Sequence, residues 1–456
     1  MGNMAEYKSR TSPWRWIPTL YIAEGLPYFA VNTLTVLMYT NLRLSKSEMA
    51  FYTGWLYLPW VIRPFWSPFV DLFGTKRLWV FWMQLLMGVF MALISVSLGT
   101  PVWLPCSLAF FWIVAFASAT HDISADGYYM LELNPKDQAA YVGVRSTFYR
   151  VASVAGQGGL VILAGYLENR TGDIPLAWSL TFAILSVFFI LIAFYHRHSM
   201  PAPPSDHPTP GVTASGILGD FLRTFSTFFR KPHIVVALAF MLLYRLPEAL
   251  CIKLVQPFFK DSLESGGLAL TTSQIGFVNG TVGVVALLAG GVLGGVVIAR
   301  GGLRRWLWPM AASLALPCVV YCYLAAVQPS DFLLISSLVA IEQFGYGFGF
   351  TAFMMYLIYF SRGNNSTSHY AFCTAFMALG MMLPGMAAGW IYECFEELDS
   401  GSLLKVIIMH FMPADRPTGY LGFFIFVMIT TLATFAVTHM AWLKTDPAED
   451  NTPASR

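Results

Sequence analysis

Runs of about twenty apolar residues recur along the whole chain, and they constrain its fold more than any other feature. The sequence is 56% hydrophobic and only 11% charged. A helix of ~20 apolar residues crosses the ~30 Å hydrocarbon core of a bilayer, and it satisfies its own backbone hydrogen bonds in lipid. The alternating pattern of a membrane β-barrel is absent from the sequence. We therefore predict an all-α membrane protein with twelve transmembrane helices, at about residues 17–40, 50–71, 78–98, 104–131, 141–166, 175–195, 233–257, 274–299, 305–326, 332–360, 366–394 and 418–443.

A polar, proline-rich interruption divides these spans into two groups of six. Residues 196–232 include six prolines, and proline interrupts regular helix. The predicted organisation is an N-terminal six-helix bundle over 1–195, a cytoplasmic linker over 196–232 and a C-terminal six-helix bundle over 233–456. Within the linker, residues 216–231 are predicted to form a short amphipathic helix on the inner membrane surface.

The distribution of basic residues predicts the orientation of the spans. If the N-terminus is cytoplasmic, sixteen of the 27 Lys and Arg residues fall in inner segments and six in outer loops. Cytoplasmic segments of membrane proteins carry such an excess of positive charge. Both termini are therefore predicted to lie on the cytoplasmic side.

Two loops with a similar pattern of glycine and basic residues occur at matching positions in the two groups of spans. Residues 67–77 read SPFVDLFGTKR after the second span, and residues 295–305 read GVVIARGGLRR after the eighth. Both resemble the loop pattern G-x-x-x-D-R-x-G-R-K/R-K/R of the major facilitator superfamily. Ser67 and Leu72 in one copy, and Ala299 in the other, depart from that pattern. The alternative is two unrelated cytoplasmic basic loops.

These loops are candidates for holding helix ends together on the inner side of the membrane. Glycine permits a tight turn, and charged side chains cap and latch the ends of helices. The residues predicted to pair helices or to gate the inner side are Asp71, Gly74, Lys76, Arg77, Arg300, Gly302, Arg304 and Arg305.

Two aspartates of the fourth predicted span form a candidate proton-coupling site. Asp122 and Asp126 are four residues apart, so they lie about 40° from each other on one helix face. Two close carboxylates in a medium of low dielectric constant cannot both ionise cheaply, so one is expected to hold a proton near neutral pH. The alternative is that both aspartates pair with arginines of the next helix. The neighbouring His121 is either a proton relay or a buried packing residue.

Ion pairs between neighbouring spans account for further charges. The fifth span is antiparallel to the fourth, so Asp126 and Arg150 are predicted to meet at similar depth. Arg145 lies nearer the cytoplasm and is predicted to act as an inner gate or latch. By the same argument Glu24 of the first span is predicted to pair with Arg63 of the second, in a structural rather than a transporting role.

The seventh span carries an arginine near mid-membrane. Arg245 is followed by Pro247, which is expected to break the helix there. A cation at this depth suits an anionic group of a substrate, and arginine can hold a carboxylate by two hydrogen bonds. Glu342 of the tenth span is predicted to face Arg245 across the cavity. The alternative is an internal pair between Arg245 and Glu248, three residues apart on one helix.

An ordered set of motifs extends over about residues 18–443. The motifs are Gly25-Leu26-Pro27, FWSPFVD at 65–71, Asp122-Ile-x-x-Asp126, Gly143-x-Arg145, Tyr149-Arg150, Leu243-Tyr244-Arg245 with Glu248, Glu342-x-x-Gly345 and His369-Tyr370-Ala371. As a set they resemble the AmpG-type muropeptide permeases, in the peptide–acetyl-CoA transporter branch of the major facilitators.

This resemblance implies a multi-pass carrier of the bacterial cytoplasmic (inner) membrane, with the major facilitator fold of two six-helix halves and a substrate site between them. Such a carrier imports GlcNAc-anhydroMurNAc, with or without peptide, for peptidoglycan recycling. Import would proceed by alternating access and proton symport. The expected partners are this anionic glycan or glycopeptide, protons and the lipid bilayer. We expect no cofactor, no metal, no nucleic acid and no enzymatic activity, and we expect a monomer.

The resemblance also implies roles for the charged residues. A lactyl carboxylate and acidic stem-peptide groups would suit Arg245, Arg150 or Arg145, and Asp122 or Asp126 would carry the proton. The predicted substrate-binding residues are Arg150, Arg245, Glu248 and Glu342.

The sequence departs from the AmpG-type pattern at several of these positions. Glu24 is acidic where a small or polar residue is usual, and His121 replaces a glutamine. Arg245 and Glu248 stand where lysine and aspartate are expected. Other anionic solutes therefore stay open as substrates: a free amino sugar or sugar acid, a siderophore or acetyl-CoA. A membrane sensor that binds its ligand without net flux is an alternative from another class, whereas an enzyme is disfavoured because the sequence has no Ser/His/Asp, metal or phosphate-loop constellation.

Overall fold

The structure, a computed structural model, describes residues 12–203, 206, 214–363, 366–398 and 419–444, and almost all of them are helical. Within this part of the chain, ten helical segments are long and apolar enough to cross a membrane. They are Lys76–Ser97, Trp103–Glu132, Gly143–Thr171, Ile174–Ser199, Ile234–Lys260, Thr272–Gly301, Leu303–Val327, Phe332–Ser361, Ser368–Glu396 and Gly419–Lys444.

The α-helices are numbered in chain order. Before the linker they are α1 (Ile17–Phe29), α2 (Thr35–Asn41), α3 (Lys46–Trp55), α4 (Leu58–Leu72), α5 (Lys76–Ser97), α6 (Trp103–Glu132), α7 (Pro135–Val154), α8 (Leu160–Thr171) and α9 (Ile174–Ser199). From the linker onward they are α10 (Ala214–Phe229), α11 (Ile234–Leu243), α12 (Leu246–Lys260), α13 (Thr272–Ile275), α14 (Val284–Gly301), α15 (Leu303–Ala315), α16 (Val319–Val327), α17 (Phe332–Ser361), α18 (Ser366–Glu396) and α19 (Gly419–Lys444).

The first two predicted spans are helical but interrupted. The first consists of α1, a π-helical turn at Ala30–Leu34 and α2, and the second consists of α3 and α4. Proline contributes to these irregularities, because Pro27 lies inside α1 and α4 contains three prolines without a backbone N–H to donate. Together with the ten segments above, these two complete the predicted all-α fold of twelve membrane-spanning helices, which is confirmed.

The chain divides into two compact units. The first combines the described residues up to Leu34 with Ile62–Phe221, and the second combines Thr35–Val61 with the described residues from Leu222 onward. The end of the first span and the beginning of the second therefore pack with the C-terminal half of the chain. The domain boundaries placed at residues 195 and 233 stay a prediction.

In the first unit, α1 packs against α6 and α7, and α5 packs against α6 and α9. Gly25 allows the close approach of α1 and α7, because a Cβ atom at this position would lie 2.8 Å from the Cβ of Ala152. The core of this unit is apolar and aromatic, and it consists of Trp16, Ile17, Leu20, Tyr21, Val80, Ala125, Tyr128, Tyr129, Leu133 and Met200. The packing brings acidic residues of α1 and α6 next to the arginines of α7.

In the second unit, α17 packs closely between α14 and α15 through its glycines. A Cβ atom at Gly347 would overlap the carbonyl oxygen of Leu287 in α14, and one at Gly345 would overlap that of Ser313 in α15. The lack of a side chain at these two positions sets the spacing of the three helices.

The helix predicted at 216–231 is confirmed as α10. In the second unit its last turn is anchored by Phe228, which is fully buried and lies 5.5 Å from Phe372 between ring centroids. Beyond this helix, Lys231 Nζ donates to the carbonyl oxygen of Phe360 at 2.6 Å. These contacts hold the linker against the C-terminal helices.

Candidate functional site

The first unit holds a group of carboxylates and guanidiniums inside its membrane-spanning helices. Asp126 of α6 forms an ion pair with Arg145 of α7, with Arg145 Nη2 2.7 Å from Asp126 Oδ1. Tyr21 of α1 donates its hydroxyl to the same carboxylate oxygen at 3.3 Å. The guanidinium of Arg145 also lies over the Tyr21 ring, 4.7 Å from its centroid. Three helices therefore meet at Asp126.

The predicted pair of Asp126 with Arg150 is wrong, because Arg145 occupies that place. Arg150 is five residues further along α7 and therefore about 140° away around the helix. Only one of the two arginines can face α1 and α6, and Arg150 is exposed. Its predicted role in substrate binding stays a prediction, and so does the predicted role of Arg145 as an inner gate or latch.

The second aspartate has its own arginine. Arg63 Nη1 of α4 lies 3.6 Å from Asp122 Oδ2, so the predicted partner of Glu24 faces α6 instead. Glu24 is 7% exposed and interacts electrostatically with Asp126, Asp122, Arg145 and Arg63. Within the described residues, however, Glu24 makes no ion pair, and its Oε2 has no hydrogen-bond partner. The group thus contains three carboxylates and two guanidiniums.

His121 belongs to a separate buried chain of hydrogen bonds. Its Nε2 lies 2.9 Å from Gln84 Nε2, and Gln84 Oε1 lies 3.0 Å from His196 Nδ1. His196 Nε2 lies 2.9 Å from the hydroxyl of Thr19. This chain links α1, α5, α6 and α9 away from the carboxylates, which favours the packing interpretation of His121 over a proton relay.

In the second unit, Arg245 pairs with Glu248 of the same span. This pair was the alternative to an Arg245 that is free to bind substrate. Its Nε and Nη2 donate to the two carboxylate oxygens of Glu248, each at 2.8 Å. Nη2 also donates to the Tyr346 hydroxyl at 2.7 Å, and the guanidinium lies 4.7 Å from the ring centroid of Phe350. Arg245 stands between α11 and α12, at the helix break expected beside Pro247. This break gives its side chain a fixed, mostly buried position.

Glu342 does not face Arg245 as predicted. It is 5% exposed and accepts hydrogen bonds from the Tyr321 hydroxyl at 2.9 Å and from Gln343 Nε2 at 2.8 Å. Tyr346, one turn further along α17, contacts Arg245 in its place. Sequence reasoning missed both tyrosines, although the i, i+4 spacing of Glu342 and Tyr346 could have indicated a shared face.

The first of the two repeated loops is closed by a residue of the linker. Gly74 adopts a φ of 72°, which favours glycine, and the backbone N–H groups of Lys76 and Arg77 donate to the carboxylate of Asp206 at 2.7 and 3.1 Å. A carboxylate at a helix N-terminus satisfies free N–H groups and complements the helix dipole. The side chain of Asp71 lies outside the described residues. Asp206 was missed because it is remote in sequence.

The second repeated loop differs from the first. Gly302 again has a positive φ, of 75°, between α14 and α15. Arg304 lies over the ring of Trp442 in α19, 4.7 Å from its centroid, whereas Arg300 and Arg305 are exposed. The gating role of both loops stays a prediction.

Comparison with known proteins identifies the family. The sequence pattern of the Major Facilitator Superfamily matches residues 19–385, and the chain belongs to this family of membrane transporters. Solved structures of the same fold include a bacterial homolog of the human lysosomal transporter Spinster, with a TM-score of 0.70 and 17% identity over 98% of this chain and all of that one. The D-xylose–proton symporter has a TM-score of 0.68 and 15% identity over 96% and 99% of the two chains.

Curated relatives lie within the AmpG group, which confirms the resemblance seen in the motifs. The anhydromuropeptide permease of Escherichia coli K12 is 24% identical over 384 residues, which is 82% of this chain and 73% of its own length. AmpG 4 of Rickettsia conorii is also 24% identical, over 79% of this chain and 85% of its own length. The protein is therefore similar to AmpG-type permeases within a family of multi-pass membrane transporters.

Proposed function

We propose that the protein imports anhydro-muropeptides, GlcNAc-anhydroMurNAc with or without peptide, across the bacterial inner membrane for peptidoglycan recycling. The proposed mechanism is proton symport by alternating access, with both termini in the cytoplasm and a monomer as the working unit. Similarity to the anhydromuropeptide permease of Escherichia coli supports the substrate class. The group of Glu24, Asp122, Asp126, Arg63 and Arg145, in which the Glu24 and Asp122 carboxylates are buried, is the observation that carries the proton-coupled mechanism.

The balance of charge within this group favours a bound proton. With all three carboxylates ionised, the two arginines leave one negative charge without compensation. An uncompensated charge in the membrane costs about 3 kcal/mol on insertion scales, so one proton is expected to neutralise it. Asp122 and Asp126 are each held by an arginine, and Glu24 has no ion pair among the described residues. We place the proton on Glu24 while both aspartates are paired, and on Asp122 or Asp126 when its arginine turns to another partner.

Arg245 is proposed to bind an anionic group of the substrate by exchange. The bidentate pair with Glu248 keeps its planar fork in one orientation, and a substrate carboxylate has the same geometry as the Glu248 carboxylate. Tyr346 and Phe350 supply a hydroxyl and an aromatic face beside it, which suit a sugar ring. Glu248 and Glu342 would accept hydrogen bonds from sugar hydroxyls or amide N–H groups. Arg150, which is exposed, would contact substrate only at a different stage of transport.

The test is uptake of labelled GlcNAc-anhydroMurNAc into proteoliposomes, with and without an imposed inward proton gradient. We expect accumulation above the external concentration only with the gradient. Uptake that stops when the internal solute concentration equals the external one would indicate facilitated diffusion without proton coupling. Absence of uptake by protein shown to be folded would rule out GlcNAc-anhydroMurNAc as the substrate. Uptake of amino sugars, sugar acids, siderophores and acetyl-CoA would then be measured in the same assay. Binding without flux would indicate a sensor.

A further inference from the structure

The seventh span carries a second cation, Lys253, whose surroundings differ from those of Arg245. Lys253 lies in α12 and is 4% exposed. Within the described residues its ammonium group makes no ion pair and no hydrogen bond. Arg245, by contrast, has its charge compensated by Glu248. An ionisable side chain kept inside a membrane span without a partner points to a functional partner from outside the protein.

Gln256 adds a second unsatisfied group on the same side of α12. It follows Lys253 by three residues, which places the two side chains about 60° apart around the helix and ~4.5 Å apart along it. Gln256 is 8% exposed, and its Oε1 has no hydrogen-bond partner among the described residues. Burying an acceptor without a donor costs free energy, so this oxygen is also expected to bind a partner from outside the protein. Both groups belong to one short stretch of one helix face.

Lys260 provides an internal comparison. It follows Lys253 by seven residues and therefore lies on the same side of α12. Its Nζ donates to the hydroxyl of Thr272 at 2.8 Å. Of the two lysines on this helix face, Lys260 thus has a hydrogen-bond partner within the protein, whereas Lys253 has none among the described residues.

The stem of Lys253 is covered by α18. A Cβ atom at Gly385 would lie 3.5 Å from Lys253 Cγ and 3.7 Å from Cε. The glycine therefore leaves room for the lysine stem between the two helices.

We propose that Lys253 and Gln256 form a carboxylate-binding subsite for the transported solute. The ammonium group of Lys253 binds the carboxylate, and Oε1 of Gln256 accepts a hydrogen bond from an N–H or O–H group beside it. A carboxylate next to an amide N–H is the terminus of an acylated amino acid or of a short peptide. The subsite rests on the proposed function and deepens it, because it selects substrates that carry such a terminus over neutral sugars.

The subsite lies apart from Arg245 on the same helix. Eight residues separate Arg245 from Lys253, which corresponds to about 12 Å along α12. A solute that contacts both must be extended, with a sugar or lactyl group at one end and a carboxylate at the other. A disaccharide with an attached amino acid has this form: its terminal carboxylate would bind Lys253, and its lactyl carbonyl oxygen, which carries no charge once the amino acid is attached, would accept a hydrogen bond from Arg245.

The experiment measures equilibrium binding of two probes to the full-length protein in lipid nanodiscs. The probes are GlcNAc-anhydroMurNAc-L-Ala and its C-terminal amide, which differ in the charge at one end. We expect the native protein to bind the acid at least tenfold more tightly than the amide. Lys253→Met should reduce that ratio to about one and leave the Kd of the amide unchanged, whereas Lys253→Arg should preserve the ratio.

Two further variants separate the subsite from general effects. Lys260→Met, which removes a lysine from the same helix face, should keep the native ratio. Gln256→Leu should weaken both probes by a similar factor, because both carry the amide N–H. Equal binding of the two probes by the native protein would overturn the subsite, and so would an equal loss for both probes in Lys253→Met. If the folded native protein bound neither probe, the proposed substrate would be wrong, and the proposed subsite would be refuted together with it.

Discussion

At the scale of single residues, the arginines decide which carboxylates are paired. Arg145 pairs with Asp126, and Arg63 lies against Asp122. Among the described residues, Glu24 is therefore the carboxylate of the group that has no ion pair. Glu24 also departs from the AmpG-type pattern, so its part in the mechanism would be particular to this sequence. A variant that removes its charge alone tests this assignment directly.

Glu24→Gln is expected to abolish gradient-driven accumulation but to leave exchange of labelled for unlabelled solute within about twofold of the native rate. The amide resembles the protonated carboxyl group in shape, and the two ion pairs of the group stay in place. Uptake and counterflow in the same proteoliposomes measure both quantities. Glu264→Gln, at an exposed turn, serves as the control. Native accumulation by Glu24→Gln would show that the proton is carried elsewhere.

Arg245→Lys is expected to reduce uptake at least tenfold, although the positive charge is kept. Lysine is a point charge and cannot make the two parallel hydrogen bonds that Arg245 makes with Glu248 or would make with a substrate carboxylate. Uptake under a saturating proton gradient is the measurement. Arg230→Lys, at an exposed position, should transport normally. If both variants transported normally, charge alone would suffice at Arg245 and the exchange of carboxylates would be refuted.

At the scale of helices, α17 depends on glycine where it contacts α14 and α15. Gly347→Ala should destabilise the protein, because the added methyl group overlaps the carbonyl oxygen of Leu287. Overpacking of this kind costs about 1–3 kcal/mol. Thermal unfolding followed by tryptophan fluorescence should show a lowered Tm. Gly295→Ala is the matched control, since no atom lies within 4 Å of the added Cβ; equal Tm values for the two variants would contradict the packing argument.

The same helices show what the sequence could and could not predict. The spans, the break before Pro247 and the linker helix depend on local composition, and they were predicted correctly. Pairing across helices was not, because Arg145 and Arg150 differ by about 140° around α7 and only the rotation of α7 selects between them. That rotation is set by packing, for example of Gly25 against Ala152, and a hydrophobic pattern does not encode it.

At the scale of the whole molecule, the segment Thr35–Val61 precedes the linker in the sequence but packs within the second unit. Lys46 forms an ion pair with Asp261 at 2.7 Å, and the backbone N–H of Ser47 donates to Glu393 Oε1 at 3.0 Å. The beginning of α3 is thereby held against α18 and the end of α12. Under the proposed mechanism of alternating access, we expect this contact to break once in every transport cycle.

Gly389 of α18 is the position at which this contact can be tested. A Cβ atom there would overlap the backbone of Lys46, so Gly389→Ala should push α3 away from α18 while leaving each helix intact. We expect faster hydrogen exchange across 46–55 than in the native protein, and a lower uptake rate because the state that contains this contact is disfavoured. Exchange in α5, which belongs to the first unit, should not change.

The control and the contrary results follow from the same geometry. Gly295→Ala changes the same residue type on an open helix face and should leave exchange at 46–55 as in the native protein. Faster exchange with native uptake would mean that separation of α3 from α18 does not limit transport. Unchanged exchange would mean that α18 shifts to make room for the methyl group, and the contact between α3 and α18 would then not depend on Gly389. The added methyl group of Gly389→Ala would overlap backbone atoms of Lys46 and Ser47, which cannot rotate away as a side chain can. The single substitution therefore distinguishes these outcomes.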